Sequence, residues 1–211
     1  MDKETLQSLI REGRYEEALA ISCHAPGFAR ALMSFLFTDE ELLFWRTVKV
    51  FGLYAARDAE TSSRFVRRLM WQLNDESGSI GRGSAHVIGE MAVNNYEVVK
   101  TAAPVVVHYL EDEGMLPGVL YAIGRIGSVR PEVTKDVIPE LVAILEEYED
   151  SPKILGMAAW ALGRIGAKQA DVALRGLLDN GERFSYYDPE EDLMKNAMVE
   201  EMARCALERL G

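Results

Sequence analysis

One short segment of this chain recurs almost verbatim. YAIGRIG at 121–127 returns as WALGRIG at 160–166, and a weaker copy closes the chain at 206–211. Two fainter copies centre on Gly52 and Gly89. Copies at intervals of about 40 residues, each with helical patterning, are typical of stacked helix pairs. The repeat therefore predicts an all-α fold, an α-solenoid wound as a right-handed superhelix of about five helix pairs.

The patterning predicts one domain, 1–211, made of a cap and a repeat array. Residues 1–38 have the apolar spacing of capping helices, and 39–211 carry the helical repeats of about 40 residues, with no strand pattern. The segment 180–190 is the longest connection of the C-terminal half. We expect the second helix of each pair to line the concave side, near 42–55, 84–92, 118–126, 154–165 and 195–209.

Glycine marks two kinds of position in the repeats. Gly127 and Gly166 are the last residues of the repeated segments and are interpreted as residues just past a helix end, where left-handed backbone costs least. Gly89, Gly124 and Gly163 fall within helices, where glycine costs about 1 kcal/mol relative to alanine. Because that cost recurs at one repeat position, we expect a neighbouring helix to approach closely there.

Acidic residues outnumber basic residues by 34 to 23, and the formal net charge is −11. Binding to nucleic-acid phosphates depends largely on clustered Lys and Arg, so the composition argues against a nucleic-acid partner. The acidic excess gathers at 111–113, 146–150 and 188–192. Two interpretations stay open: solvated turns that keep the protein soluble, or an acidic rim that attracts a basic protein partner.

Composition also addresses membranes, secretion and metals. No apolar stretch approaches the roughly 18 residues of a spanning helix, and the charged N-terminus lacks a signal core. Cys23 and Cys205 lie at opposite ends of the chain and form no disulfide framework, which favours the cytoplasm. The three histidines are isolated, whereas a metal site needs three or four ligands. We therefore expect no membrane contact, no metal and no cofactor.

The segment 71–84 is the least repeat-like part of the array. It joins two helices with more Gly, Ser and polar residues than a turn needs, and such loops often carry function. Its backbone N–H groups could bind an anion; the alternative is a long capped turn. The candidates for partner contact here are Asn74, Asp75, Glu76, Ser77 and Arg82, with His86 and Glu90 on the helix that follows.

A row of arginines occupies one repeat position: Arg125, Arg164 and Arg209. In one interpretation the guanidinium groups line the concave face and bind carboxylates or phosphates, which makes Arg125 and Arg164 candidate partner-binding residues. In the other, each arginine pairs with an acidic residue of a turn, in a ladder along the solenoid. The partners expected for that ladder are Asp112, Asp150 and Asp179.

The three tryptophans all fall within helical patterns. Trp160 takes the repeat position of Tyr121, which indicates a role in packing between repeats. We expect Trp45, Trp71 and Trp160 to lie in the core rather than to form a ligand platform.

The repeated segments AIGRIG at 122–127 and ALGRIG at 161–166 resemble the short HEAT-like repeats of the phycobilisome-lyase type. The resemblance extends over 40–211, and the stretch 70–78 is similar to a signature of little-characterised HEAT-like proteins from bacteria and archaea. It implies the solenoid fold and leaves the activity open, because such repeats serve scaffolds, lyases, oxygenases and DNA glycosylases.

No constellation of catalytic residues accompanies this scaffold. We therefore predict a non-enzymatic protein–protein interaction module that binds its partner on the concave face. The alternative is a lyase- or chaperone-like protein that assists cofactor or prosthetic-group attachment, which the resemblance motivates at the level of the fold. A DNA-binding HEAT-like protein is a third possibility, disfavoured by the net charge.

Overall fold

The computed structural model describes residues 2–22, 27–73, 81 and 83–211, which form a succession of helices interrupted by one β-hairpin. The helices are α1 (Lys3–Arg11), α2 (Tyr15–Ser22), α3 (Phe28–Phe35), α4 (Glu41–Arg57), α5 (Ala59–Leu73), α6 (Ser84–Val99), α7 (Ala103–Val106), α8 (Leu116–Val129), α9 (Pro131–Thr134), α10 (Ile138–Glu147), α11 (Pro152–Ile165), α12 (Asp171–Arg175) and α13 (Val199–Leu210). The strands are β1 (Arg183–Asp188) and β2 (Leu193–Met198).

Five helices stack in succession and form what we call the second-helix layer: α4, α6, α8, α11 and α13. The other helices flank this layer, with α5 on α6, α10 on α11 and α12 on α13. This arrangement confirms the predicted α-solenoid of helix pairs. The last second helix begins at Val199 rather than near 195, because the residues before it belong to β2.

Glycines inside the helices mark the points where second helices approach most closely. A Cβ atom on Gly89 would lie 2.6 Å from the Cα atom of Ala122 on α8. A Cβ atom on Gly163 would lie 2.7 Å from the Cα atom of Ala206 on α13. The close approach predicted from the recurring glycine is thus confirmed. The neighbour is backbone at Gly89 and Gly163, whereas at Gly124 it is the indole ring of Trp160 on α11.

The two glycines expected at helix ends behave differently. Gly166 ends α11 with a φ of 75°, as predicted. Gly127 was expected to follow α8, and that prediction is wrong, because the helix continues to Val129. Gly127 is instead packed inside, where a Cβ atom would meet Ile165 and Thr134.

The predicted connection at 180–190 is in fact part of an antiparallel hairpin, with Arg183 opposite Met198 and Asp188 opposite Leu193. Strand β1 is rich in aromatic residues, which favour extended backbone. In the turn, Asp188 Oδ1 accepts hydrogen bonds from the N–H groups of Glu190 and Glu191 at 2.9 and 3.1 Å. The expectation of no strands was wrong here because β2, LMKNAM, has no alternation of apolar and polar residues to signal it.

The tryptophans divide between core and surface. Trp45 is 9% exposed, and Trp160 is half-buried beneath the guanidinium group of Arg164. Trp71 is 66% exposed, which contradicts the core prediction, because α5 flanks the layer and its outer side meets solvent. Among the described helices, none combines the length and the apolar character needed to cross a membrane.

Candidate functional site

The hairpin lies across the second-helix layer from its C-terminal to its N-terminal part. Phe184 of β1 packs against α11 at Gly156, where any Cβ atom would collide with the phenyl ring. Tyr187 stacks on Trp45 of α4, with the ring centroids 4.9 Å apart and the planes within 7°. The chain therefore covers with its own strand much of the face on which we expected a partner.

One carboxylate, Asp192, fixes the hairpin turn to the N-terminal helices. It accepts hydrogen bonds from the hydroxyl groups of Tyr15 on α2 and Tyr187 on β1, each at 2.6 Å. Arg46 Nε and Lys49 Nζ of α4 lie 3.4 and 3.6 Å from its oxygens. Asp192 thus joins residues up to 177 positions apart in the sequence.

A second network lies beneath the hairpin, within the layer. Glu90 on α6 accepts a hydrogen bond from the Tyr121 hydroxyl at 2.7 Å and pairs with Arg125 Nε at 2.9 Å. Glu90 is 4% exposed and Arg125 is 9% exposed. Glu190, on the hairpin turn, lies 3.9 Å from Arg125 and also pairs with Arg164. Two carboxylates therefore hold two arginines of the predicted row.

The ladder interpretation is right that these arginines pair within the chain, and for Arg164 the partner is an acidic residue of a turn, but the particular partners suggested are wrong. Arg125 meets Glu90 from the adjacent second helix, and Arg164 meets Glu190 from the hairpin turn. The physical reason is the hairpin, which carries an acidic turn over the layer. Whether Arg125 or Arg164 also contacts a partner stays a prediction. None of the ion pairs among the described residues includes the three partners expected for the ladder: Asp112, Asp150 and Asp179.

Five of the candidate residues lie outside the described part of the chain: Asn74, Asp75, Glu76, Ser77 and Arg82. His86 and Glu90 both lie on α6 and are buried, so neither presents a free side chain to a partner surface. Within residues 2–22, 27–73, 81 and 83–211, no three His, Cys, Asp or Glu side chains come together as a metal site.

A cleft of about 460 Å³, which we call the aromatic cleft, opens between β1 and the helices α4, α6 and α11. The exposed carboxylates of Asp39 and Glu41 line it, with Lys153 and Met157 from α11. Sequence reasoning missed this site because its second wall comes from β1; the adjacent tyrosines before the Asp-Pro turn were the available signal. Its aromatic wall consists of Phe44, Trp45, His86, Tyr186 and Tyr187.

A larger and shallower groove of about 820 Å³, the acidic groove, lies between α10, the start of α11 and α12. Its floor is apolar, formed by Leu145, Leu155, Val172, Ala173 and Leu177. Of these residues Leu145, Leu155 and Leu177 are buried, whereas Val172 is 82% exposed. Five carboxylate side chains surround this floor: Glu146, Glu149, Asp150, Asp179 and Glu182.

The buried tyrosines give the covered face a pH dependence. Burial raises the pKa of Tyr121 and of Tyr187 well above the usual range. The negative charge of Glu90 raises the pKa of Tyr121 further, and the hydrogen bond to Asp192 raises that of Tyr187 further. A tyrosine whose pKa is higher in the folded than in the unfolded chain stabilises the fold. The full contribution is present below the unfolded-state pKa, about 10, and is lost as the pH rises past that value. We expect each tyrosine to lower the free energy of unfolding by about 1.4 kcal/mol per pH unit above about pH 10.

Urea unfolding at a series of alkaline pH values measures this slope. The Tyr187→Phe variant removes one of these ionising groups, so its stability should fall less steeply with pH than that of the parent chain. Equal slopes for the two proteins would contradict the assignment of Tyr187.

Comparison with known proteins supports the repeat architecture. Residues 154–180 match the family model described as the PBS lyase HEAT-like repeat. An uncharacterized protein of Archaeoglobus fulgidus is 30% identical over 161 residues, which cover 76% of this chain and 86% of that protein.

Solved structures agree at the level of the fold. A designed armadillo repeat protein in complex with the peptide (KR)4 matches with a TM-score of 0.62 at 19% identity, covering 99% of this chain and 91% of that one. The complex of CpcE and CpcF of phycocyanin lyase from Nostoc sp. PCC7120 matches with a TM-score of 0.53 at 18% identity, covering 89% of this chain and 66% of that one.

Proposed function

We propose that this chain, which belongs to the HEAT-like repeat family, is a non-enzymatic protein-interaction module whose partner presents a basic segment. The observation that carries the proposal is the acidic groove, where five carboxylates line the same depression as the exposed side chain of Val172.

The charges of the acidic groove favour a basic partner. Among the described residues, no ion pair involves any of its five carboxylates, and no Lys or Arg side chain lines it. The acidic residues of the hairpin contrast with this, because Asp188, Glu190 and Asp192 each contact a Lys or Arg side chain. Unpaired carboxylates beside an apolar floor attract cations and reject acidic partners.

The covered face supports the same location for the partner. We expected binding on the concave side through Arg125 and Arg164, but the hairpin lies over that layer and its Glu190 already contacts both guanidinium groups. An acidic segment is therefore bound there within the chain itself. In the acidic groove a partner segment would meet no such competition. The solved armadillo neighbour is in complex with a peptide of alternating Lys and Arg.

The test is fluorescence anisotropy with labelled (KR)4 peptide as the probe. We expect saturable binding that weakens as salt is added, because exposed charges are screened. The variant Glu146→Lys/Glu149→Lys should bind about tenfold or more weakly, since each carboxylate it reverses faces the groove.

A matched control separates the groove from net charge. Asp136→Lys/Glu140→Lys makes the same change in charge on exposed residues at the other end of the α10 region, outside the groove. We expect this control to keep most of the affinity. Equal loss in the two variants would mean that the peptide senses only overall charge, and absence of binding by the parent chain would refute the proposal.

The lyase- or chaperone-like alternative rests on fold similarity to the phycocyanin lyase complex at 18% identity, which does not transfer an activity. A stable coloured adduct between the purified chain and a tetrapyrrole would favour it over the interaction module. DNA binding is opposed by the net charge of −11.

A further inference from the structure

The aromatic cleft has features that the acidic groove lacks and that indicate a ligand of another kind. Four of its rings are held in place by each other: Trp45 stacks on Tyr187, and Phe44 meets Trp45 and His86 edge-on at centroid distances of 5.4 and 5.2 Å. The walls are therefore formed before any ligand arrives, which reduces the entropy cost of binding. A volume of about 460 Å³ is that of a small-molecule or side-chain pocket.

Solvent reaches two rings of the aromatic wall. Phe44 and Tyr186 are half-buried, whereas Trp45 and Tyr187 are almost fully covered. The Tyr187 hydroxyl already donates to Asp192, so it offers no free donor to a ligand. The surface that Phe44 and Tyr186 offer is thus chiefly aromatic, and an aromatic face attracts a cation through its quadrupole.

The charges around the cleft favour one sign of charge on the ligand. Asp39 and Glu41 are exposed, line the cleft and take part in no ion pair among the described residues. Lys153 is the one cationic side chain that lines it within the described residues. Two carboxylates against one ammonium group leave the cleft net negative, which disfavours an anionic ligand and favours a cation.

We propose that the aromatic cleft binds a quaternary alkylammonium group, seated against Phe44 and Tyr186 with its charge facing Asp39 and Glu41. A quaternary ammonium is weakly hydrated and has no N–H groups that need acceptors, so the aromatic faces of Phe44 and Tyr186 replace its hydration at a smaller cost than for a primary ammonium. Such a group can come from a free small molecule or from a trimethylated lysine of a protein. This inference is independent of peptide binding in the acidic groove, because the two sites share no lining residue.

Isothermal titration calorimetry with choline tests the proposal, with 3,3-dimethylbutan-1-ol as its uncharged counterpart of the same shape. We expect choline to bind at least about tenfold more tightly, since only the cation gains from the rings and carboxylates. Equal affinity of the two compounds, or binding of neither, would overturn the proposal.

Two variants locate the site. Phe44→Leu keeps an apolar side chain but removes the aromatic face, so it should weaken choline about tenfold and leave the neutral compound unchanged. Asp39→Asn/Glu41→Gln should weaken choline severalfold with the fold intact, as circular dichroism would show. If both variants bound choline as the parent does, the cation would lie elsewhere and the proposal would fail.

The source of the group is distinguished by a peptide arm. The cleft is assigned to a protein side chain if a trimethyllysine peptide binds more tightly than choline and more tightly than the same peptide with unmodified lysine. It is assigned to a small molecule if the trimethyllysine peptide binds no more tightly than choline. The Glu146→Lys/Glu149→Lys variant should bind choline normally. That control separates this inference from the proposed function, since it disables only the acidic groove.

Discussion

We expect the Glu90→Ala variant to lose about 3–5 kcal/mol of unfolding free energy, the cost of leaving one partner of a buried ion pair alone. Arg125 is 9% exposed and has Glu90 as its close partner, with Glu190 at 3.9 Å. Removal of the carboxylate also leaves the buried Tyr121 hydroxyl without its acceptor. Chemical denaturation of the two proteins at neutral pH measures the difference.

A double variant shows whether the loss comes from an isolated charge. Glu90→Met/Arg125→Met replaces both ions with apolar side chains, which is often neutral or stabilising at buried pairs. We expect it to be more stable than Glu90→Met alone. If the double variant were the less stable of the two, the network would stabilise the fold through its charges, and our account of the single variant would be wrong.

The second large effect is expected at the glycines between second helices. Gly89→Ala should gain about 1 kcal/mol from helix propensity, yet we expect a net loss of about 1–3 kcal/mol from overpacking. The new Cβ atom would lie 2.6 Å from the Cα atom of Ala122, and backbone cannot rotate away as a side chain can. Gly163→Ala, which faces Ala206 in the same way, should lose a similar amount.

Gly181→Ala is the control, because no atom lies within 4 Å of the Cβ position there. Thermal denaturation should place this variant close to the parent chain and the two helix variants clearly below it. A stabilised Gly89→Ala protein would mean that α6 and α8 separate without cost, contrary to the packing described above.

The helix stack could be predicted from the sequence because its cause is local and repeated. Each repeat carries its own apolar spacing and its own glycine, so Gly89, Gly124 and Gly163 indicated the helices and the close approaches between them. A repeat pattern reports what every unit shares. It is silent on features that occur once, and the hairpin of residues 183–198 is such a feature.

The candidate site depends on the hairpin, so only the part of the site that lies on the repeated helices could be predicted. Glu90, Arg125 and Arg164 were correctly brought to one face, because they occupy related repeat positions. Their partner Glu190 and the cleft wall at Tyr186 were missed, since both require the hairpin to fold back over the layer. Contacts between residues far apart in the chain leave no periodic trace in the sequence.

The anchoring of Asp192 to Tyr15 and Arg46 changes how this array can come apart. Repeats in an open solenoid touch only their neighbours, so such a protein can unzip from either end. Here the hairpin turn links the two ends of the array, because neither terminal repeat can unfold without breaking the contacts of Asp192 with the other end. We infer that the chain folds late and slowly at this closure, where two residues 177 positions apart must be brought together. We also infer that it unfolds as one cooperative unit rather than repeat by repeat.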